Sequence, residues 1–93
     1  MPTYLMLTNL TAEGVRTLKN NPGRTAEVNK EVEQMGGSVI AQYATLGQFD
    51  FVTVIEAPDE KVMAKISIEL GSRGTMTSQT LSAMSAEDLS AAL

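Results

Sequence analysis

Thr45-Leu46-Gly47-Gln48-Phe49-Asp50-Phe51-Val52-Thr53-Val54 joins two runs of strand-forming residues, Val39 to Leu46 and Phe49 to Glu56. A Gly-X pair between two such runs predicts a tight two-residue hairpin, because glycine supplies the positive φ that the first central position of the turn requires. On the first arm, alternation places Val39, Ala41, Tyr43 and Thr45 on one face, with Ile40, Gln42, Ala44 and Leu46 on the other. On the second, Phe49, Phe51, Thr53 and Ile55 oppose Asp50, Val52, Val54 and Glu56. Both faces are apolar in the middle, which fits a sheet covered on both sides rather than one facing water.

Upstream, Thr3 to Asn9 alternates as a first strand, with Tyr4, Met6 and Thr8 opposite Leu5 and Leu7. Thr11 is placed to cap a helix that carries Val15 and Leu18. Asn20-Asn21-Pro22-Gly23 breaks that helix, and Asn21 with Pro22 starts a second piece in which Val28, Val32 and Met35 recur at helical spacing. Gly36-Gly37 ends it, one of the pair in the left-handed cap conformation. Downstream, Ala57-Pro58-Asp59-Glu60 opens a helix with a Val62, Ile66 and Leu70 stripe, Met63 beside it and Gly71 as its terminal glycine. Thr75 to Met84 reads as a last strand, and Ser85-Ala86-Glu87-Asp88 starts a short terminal helix bearing Leu89 and Leu93.

Strand, helix, strand, strand, helix, strand is the ferredoxin-like βαββαβ plan, here predicted as one α+β domain over residues 1–93. It stacks two helices on one face of a four-stranded antiparallel sheet and leaves the other face bare. A chain this short has no element left to cover an apolar second face. The expectation is self-association through the sheet face, with an apolar, barrel-like cavity enclosed between subunits.

Composition removes most other functions. Seven Lys and Arg are scattered among eleven Asp and Glu, for a net charge of −4, which argues against nucleic acid. Two Tyr, two Phe and no Trp give no stacking platform for single strands. No histidine and no cysteine are present, which excludes a Ser-His-Asp triad, a Cys-His pair and a His or Cys metal site. No cofactor is expected. The acidic pairs Asp59-Glu60 and Glu87-Asp88 stand at helix starts, where the helix dipole accounts for them. No apolar run is long enough to span a membrane, the N-terminus lacks the basic region of a signal peptide, and the cysteine-free composition suits the cytoplasm.

The chain resembles the GYD domain family, small bacterial and archaeal proteins of the dimeric α+β barrel superfamily. The resemblance runs from about Tyr4 to Met84 and rests on Asn21-Pro22-Gly23-Arg24, Gly36-Gly37 and Tyr43-Ala44-Thr45-Leu46-Gly47-Gln48-Phe49-Asp50. It continues through Glu56-Ala57-Pro58-Asp59, Leu70-Gly71 with Gly74, and Thr80-Leu81. The namesake motif stands here as Gly47, Phe49 and Asp50; Phe49 replaces the usual tyrosine, so no phenolic hydroxyl is available there. The resemblance implies the ferredoxin-like fold and sheet-to-sheet association, and implies no reaction.

Four residues are candidates for a ligand site. Asp50, beside Val52 and Val54 at the hairpin end, could act as a base; alternatively it accepts backbone N–H bonds and fixes the turn. Tyr43 could orient a ligand carbonyl, or simply line an interface. Arg24, at the start of a helical segment, could hold an anion, or pair with Glu27 or Glu31. Phe49, the motif's aromatic, is the fourth.

Two functions are compatible with these residues. One is a homo-oligomeric binding or structural module that takes a small apolar or anionic molecule in the cavity between subunits. The other is a cofactor-independent isomerase or monooxygenase for a small aromatic or lactone-like substrate, with Asp50 as base and Tyr43 or Arg24 stabilising an enolate. The second requires at least two of these side chains to converge on one pocket.

Overall fold

The computed structural model describes residues 1–93, with β1 (Thr3–Leu10), α1 (Ala12–Asn20), α2 (Arg24–Gln34), β2 (Ser38–Ala44), β3 (Phe51–Glu56), α3 (Glu60–Gly71), β4 (Met76–Ala83) and α4 (Ala86–Ala92). The strands form one antiparallel sheet in the order β2-β3-β1-β4. That is the predicted ferredoxin-like α+β arrangement, with the first helical crossover split into α1 and α2. No helix is long and apolar enough to cross a membrane.

Local chemistry explains most element boundaries. The Thr11 hydroxyl accepts from the Gly14 N–H at 3.2 Å and starts α1. Asp59 does the same for α3, accepting from Val62 N–H at 2.9 Å, and Ser85 for α4, accepting from Asp88 N–H at 3.0 Å. Such caps satisfy amide groups that the first helical turn leaves without a partner. α2 ends in a Schellman motif: the Gly37 N–H returns to Val32 O and the Gly36 N–H to Glu33 O, with Gly36 at φ 102°.

Two boundaries differ from the sequence expectation. Asn21 does not cap α2 with its side chain. Its carbonyl instead accepts from the Arg24 N–H at 3.0 Å, so Pro22-Gly23 form a turn and α2 begins at Arg24. The left-handed glycine after α3 is Gly74 at φ 76° rather than Gly71, which lies within the helix.

The core lies between the sheet and α2 and α3. Tyr4 and Met6 of β1 and Ile55 of β3 are buried against Val32 of α2 and Met63, Ile66 and Leu70 of α3. The helical stripe predicted for α3 is thus the buried one, with Val62 packed at its edge. α4 has no buried residue; Leu89 and Leu93 are exposed, and this terminal helix stands clear of the core.

The hairpin is wider than the Gly-X pair predicts. The β2–β3 pairing ends at Ala44 opposite Phe51, and Thr45 N–H donates to Asp50 O at 2.8 Å. The Thr45 hydroxyl donates to the Phe49 carbonyl, leaving Leu46 to Phe49 as the tip, with Leu46 fully exposed and Gly47 at φ 135°. The Thr45–Asp50 bond, with the Thr45 hydroxyl on Phe49 O, closes a four-residue tip, and the Asp50 N–H on Thr8 O at 2.8 Å ties its base to β1.

A bulge at Ile40 corrects the facing of β2. Val39 pairs with Ile55, but the next partner of Val54 is Ala41, leaving Ile40 as the additional residue. Val39 and Gln42 therefore face the helices, while Ala41 and Tyr43 face the other way. Uninterrupted alternation would have put Val39 and Tyr43 on one face.

Candidate functional site

The sheet presents two different surfaces. On the side away from the helices stand Leu5 and Leu7 of β1, Val52 and Val54 of β3 and Leu81 of β4, in register with one another. The first four are half-buried by their neighbours and Leu81 is exposed. Tyr43, paired with Val52, continues this surface at the β2 edge and is 63 % exposed. No helix of the chain packs over it.

Asp50 has a structural partner. Its Oδ2 accepts from the Leu10 N–H at 2.8 Å, satisfying an amide at the end of β1 that Thr8–Phe51 pairing does not reach. Together with its own N–H on Thr8 O, this pins the hairpin base to the central strand. Asp50→Ala is expected to cost about 1–2 kcal/mol, the penalty for an unmet, partly buried amide. Asp50→Asn, which keeps an acceptor oxygen, should retain most of it; urea unfolding midpoints compare the two.

The other side of the sheet holds a cavity of about 240 Å³, between α1, α2 and the helix-covered strands. Its wall is apolar, with Met6, Leu18, Val28, Val32, Phe51 and Met76. A short polar line runs across it: Asn29 Nδ2 donates to Gln42 Oε1 at 2.8 Å, and Gln42 Nε2 donates to Thr53 Oγ1 at 3.0 Å. Thr8 and Thr53, both buried, add two hydroxyls on neighbouring strands.

Arg24 and Arg73 stand at the rim, each already paired. Arg24 meets Glu27 at 3.0 Å and Glu31 at 3.6 Å. Arg73 binds Glu31 and, at 3.2 Å, Glu69. The hydrogen bond from Arg24, helped by Asn21, holds the Glu27 carboxyl below the usual range. The hydrogen bond to Glu31 raises the Arg73 pKa further, so this guanidinium stays charged. Together they make an ion-pair network with two cations against three carboxylates.

The four sequence candidates do not share a pocket. Arg24 borders the cavity on the helix side; Tyr43 lies on the opposite face, and Asp50 and Phe49 belong to the hairpin base and tip. Within the chain, the convergence required by an Asp50, Tyr43 and Arg24 enolate site is not present. The polar groups that do meet are Thr8, Asn29, Gln42 and Thr53. Their signal in the sequence is a polar atom at an otherwise apolar position: Thr8 in line with Tyr4 and Met6, and Gln42 inside an apolar strand. The bulge at Ile40 hides the second of these, because it alone turns Gln42 toward the helices.

Comparison with known proteins places this geometry. The GYD domain family model matches residues 4–93, as the residues quoted from the sequence anticipate. A Thermus thermophilus protein named "Glutamine synthetase and cystathionine beta-lyase binding protein" is 47% identical over 94 residues, covering 100% of this chain and 99% of that one. The crystal structure of TTHA0845, also from Thermus thermophilus, superposes with a TM-score of 0.59 over 92% of this chain and 96% of its own, at 18% identity. That likeness is one of fold.

Proposed function

This chain belongs to the GYD domain family, and we propose that it is a homo-oligomeric binding protein. Two copies pair through the open sheet face and enclose an apolar space open to a small molecule, and the assembly engages a protein partner. The observation that carries this reading is the row Leu5, Leu7, Val52, Val54 and Leu81, on a face that no element of the chain covers. Removing such surface from water contributes about 25 cal/mol per Å², and a second copy offers the matching apolar face. The name of the relative, a protein that binds two enzymes, supports a protein partner. The cysteine-free composition suits work in the cytoplasm.

Native mass spectrometry of the purified protein tests the reading directly. The expected result is an oligomer that Leu7→Lys converts to monomers, since β1 is central and a lysine there buries a charge in the contact. Circular dichroism should stay that of the parent, because Leu7 points away from the core. A wild-type monomer at micromolar concentration would sink the proposal.

A further inference from the structure

The cavity between α1, α2 and the sheet lies inside one chain, on the opposite side of the sheet from the proposed contact between copies. We infer that it is a second binding site, for a small neutral molecule with an apolar body and one hydrogen-bond-accepting head such as a carbonyl. The inference is independent of how the open face associates.

Size and lining set the body of the ligand. A dry apolar cavity of about 150 Å³ accepts benzene, so the 240 Å³ here holds a substituted single ring or a branched chain of similar bulk. Phe51, Val28, Val32 and the methionines Met6 and Met76 offer such a body only apolar contact.

Of the five threonines in the lining, the two buried ones, Thr8 and Thr53, set the head. Thr8 is 4 % exposed and none of the side-chain hydrogen bonds engages it, yet no buried side-chain oxygen or nitrogen is sealed off without a partner. The Thr8 hydroxyl therefore opens on the cavity it lines. Thr53, 5 % exposed, already accepts from Gln42, so its own proton is left to donate. Met6 pairs with Thr53 and Thr8 with Phe51, which sets the two threonines diagonally on adjacent strands of one face. Two donors at the floor of an apolar space match one acceptor oxygen, and burying them unmet costs free energy.

Charge sets the exclusion. Arg24 and Arg73 are the only ionisable groups of the lining, and Glu27, Glu31 and Glu69 already neutralise them. An anion entering the cavity would lose its water and find no spare cation, a penalty that a neutral head avoids.

Three probes of nearly one shape test this on the full chain: acetophenone with a carbonyl head, ethylbenzene without it, and benzoate with a charge. Titration followed by NMR should show acetophenone binding, ethylbenzene about tenfold weaker for want of the hydrogen bonds, and benzoate weakest. Thr8→Val and Thr53→Val should each lower acetophenone affinity toward that of ethylbenzene and leave ethylbenzene unchanged. Val28→Phe, which fills the space from α2, should abolish both; it and the ranking of probes decide the matter even if a threonine variant fails to fold. Benzoate binding tightest, no probe shifting cavity resonances, or acetophenone binding indifferent to Val28→Phe would each overturn the assignment.

Discussion

Ile66→Ala is expected to remove about 3–5 kcal/mol of stability, the upper part of the range for truncating a buried aliphatic side chain. Ile66 is 0 % exposed at the centre of the α3 stripe. Its Cδ1 lies 2.9 Å from where a side chain on Gly37 would begin, with Val32 Cγ1 and Ile55 Cγ2 close by. The isoleucine fills the space that Gly37 leaves open at the start of β2. With no side chain on Gly37, little can move in to replace the lost methyls, so the void persists and the cost stays high. A domain of this length is stable by roughly 5–14 kcal/mol, and the loss would consume a large part of that. Urea unfolding at one fixed chain concentration should show a lower midpoint with an unchanged slope. A change below about 1 kcal/mol would mean that α3 does not seat on the sheet through this residue.

Gly14→Ala should destabilise by about 2–3 kcal/mol, against the helix preference of alanine, which alone would add about 1 kcal/mol. A Cβ at Gly14 would stand 2.0 Å from Thr75 O, a backbone atom that cannot rotate away. The same segment is tied there twice more: Thr11 N–H donates to Thr75 O at 3.0 Å and the Thr11 hydroxyl to Gly74 O at 2.8 Å. α1 is thus held by its first turn on the chain that enters β4, and it must lift off to admit a methyl group. Gly71→Ala is the control. That glycine sits at the end of α3 with nothing within 4 Å of an added Cβ, so alanine there should be neutral or mildly stabilising. Thermal unfolding of the two variants should move in opposite directions or leave Gly71→Ala unmoved. A shared destabilisation would show that close contact at Thr75 is not the cause. Because Gly14 also lines the cavity, Gly14→Ala should loosen its α1 wall and weaken probe binding as well.

Periodicity carried the architecture a long way. Alternation in Thr3 to Asn9 separated Tyr4, Met6 and Thr8 from Leu5 and Leu7 correctly, because β1 is central and regular, paired on both sides without interruption. The α3 stripe was legible for a similar reason: a helix packing on a sheet must bury one face, and only Met63, Ile66 and Leu70 with Val62 supply it. Thr11 and Ser85 announce helix starts through a short-range interaction that a few neighbouring residues define.

Events that depend on contacts distant in sequence were not legible. The Gly47-Gln48 pair is a sound local signal for a two-residue turn, yet the hairpin closes one pair earlier, at Thr45 and Asp50, and the Asp50 carboxylate bonds the Leu10 N–H of β1, forty residues away. The Ile40 bulge leaves no mark on alternation that can be seen before the partner strand is known. It exchanges the faces of Tyr43 and Gln42, and with them the membership of the cavity.

The order of elements, the buried face of the central strand and of α3, the bare apolar sheet face and the lack of histidine and cysteine chemistry were thus legible along the chain. They follow from composition, from local propensity and from the periods of helix and strand. The tertiary structure alone decided which polar side chains meet. Asn29, Gln42 and Thr53 come from α2, β2 and β3, and they touch only because a bulge, a broken helix and a crossover bring three separate elements to one point. Pairing between strands and helices, not periodicity along either, sets that point, and so the candidate site belongs to the fold rather than to any one stretch of the chain.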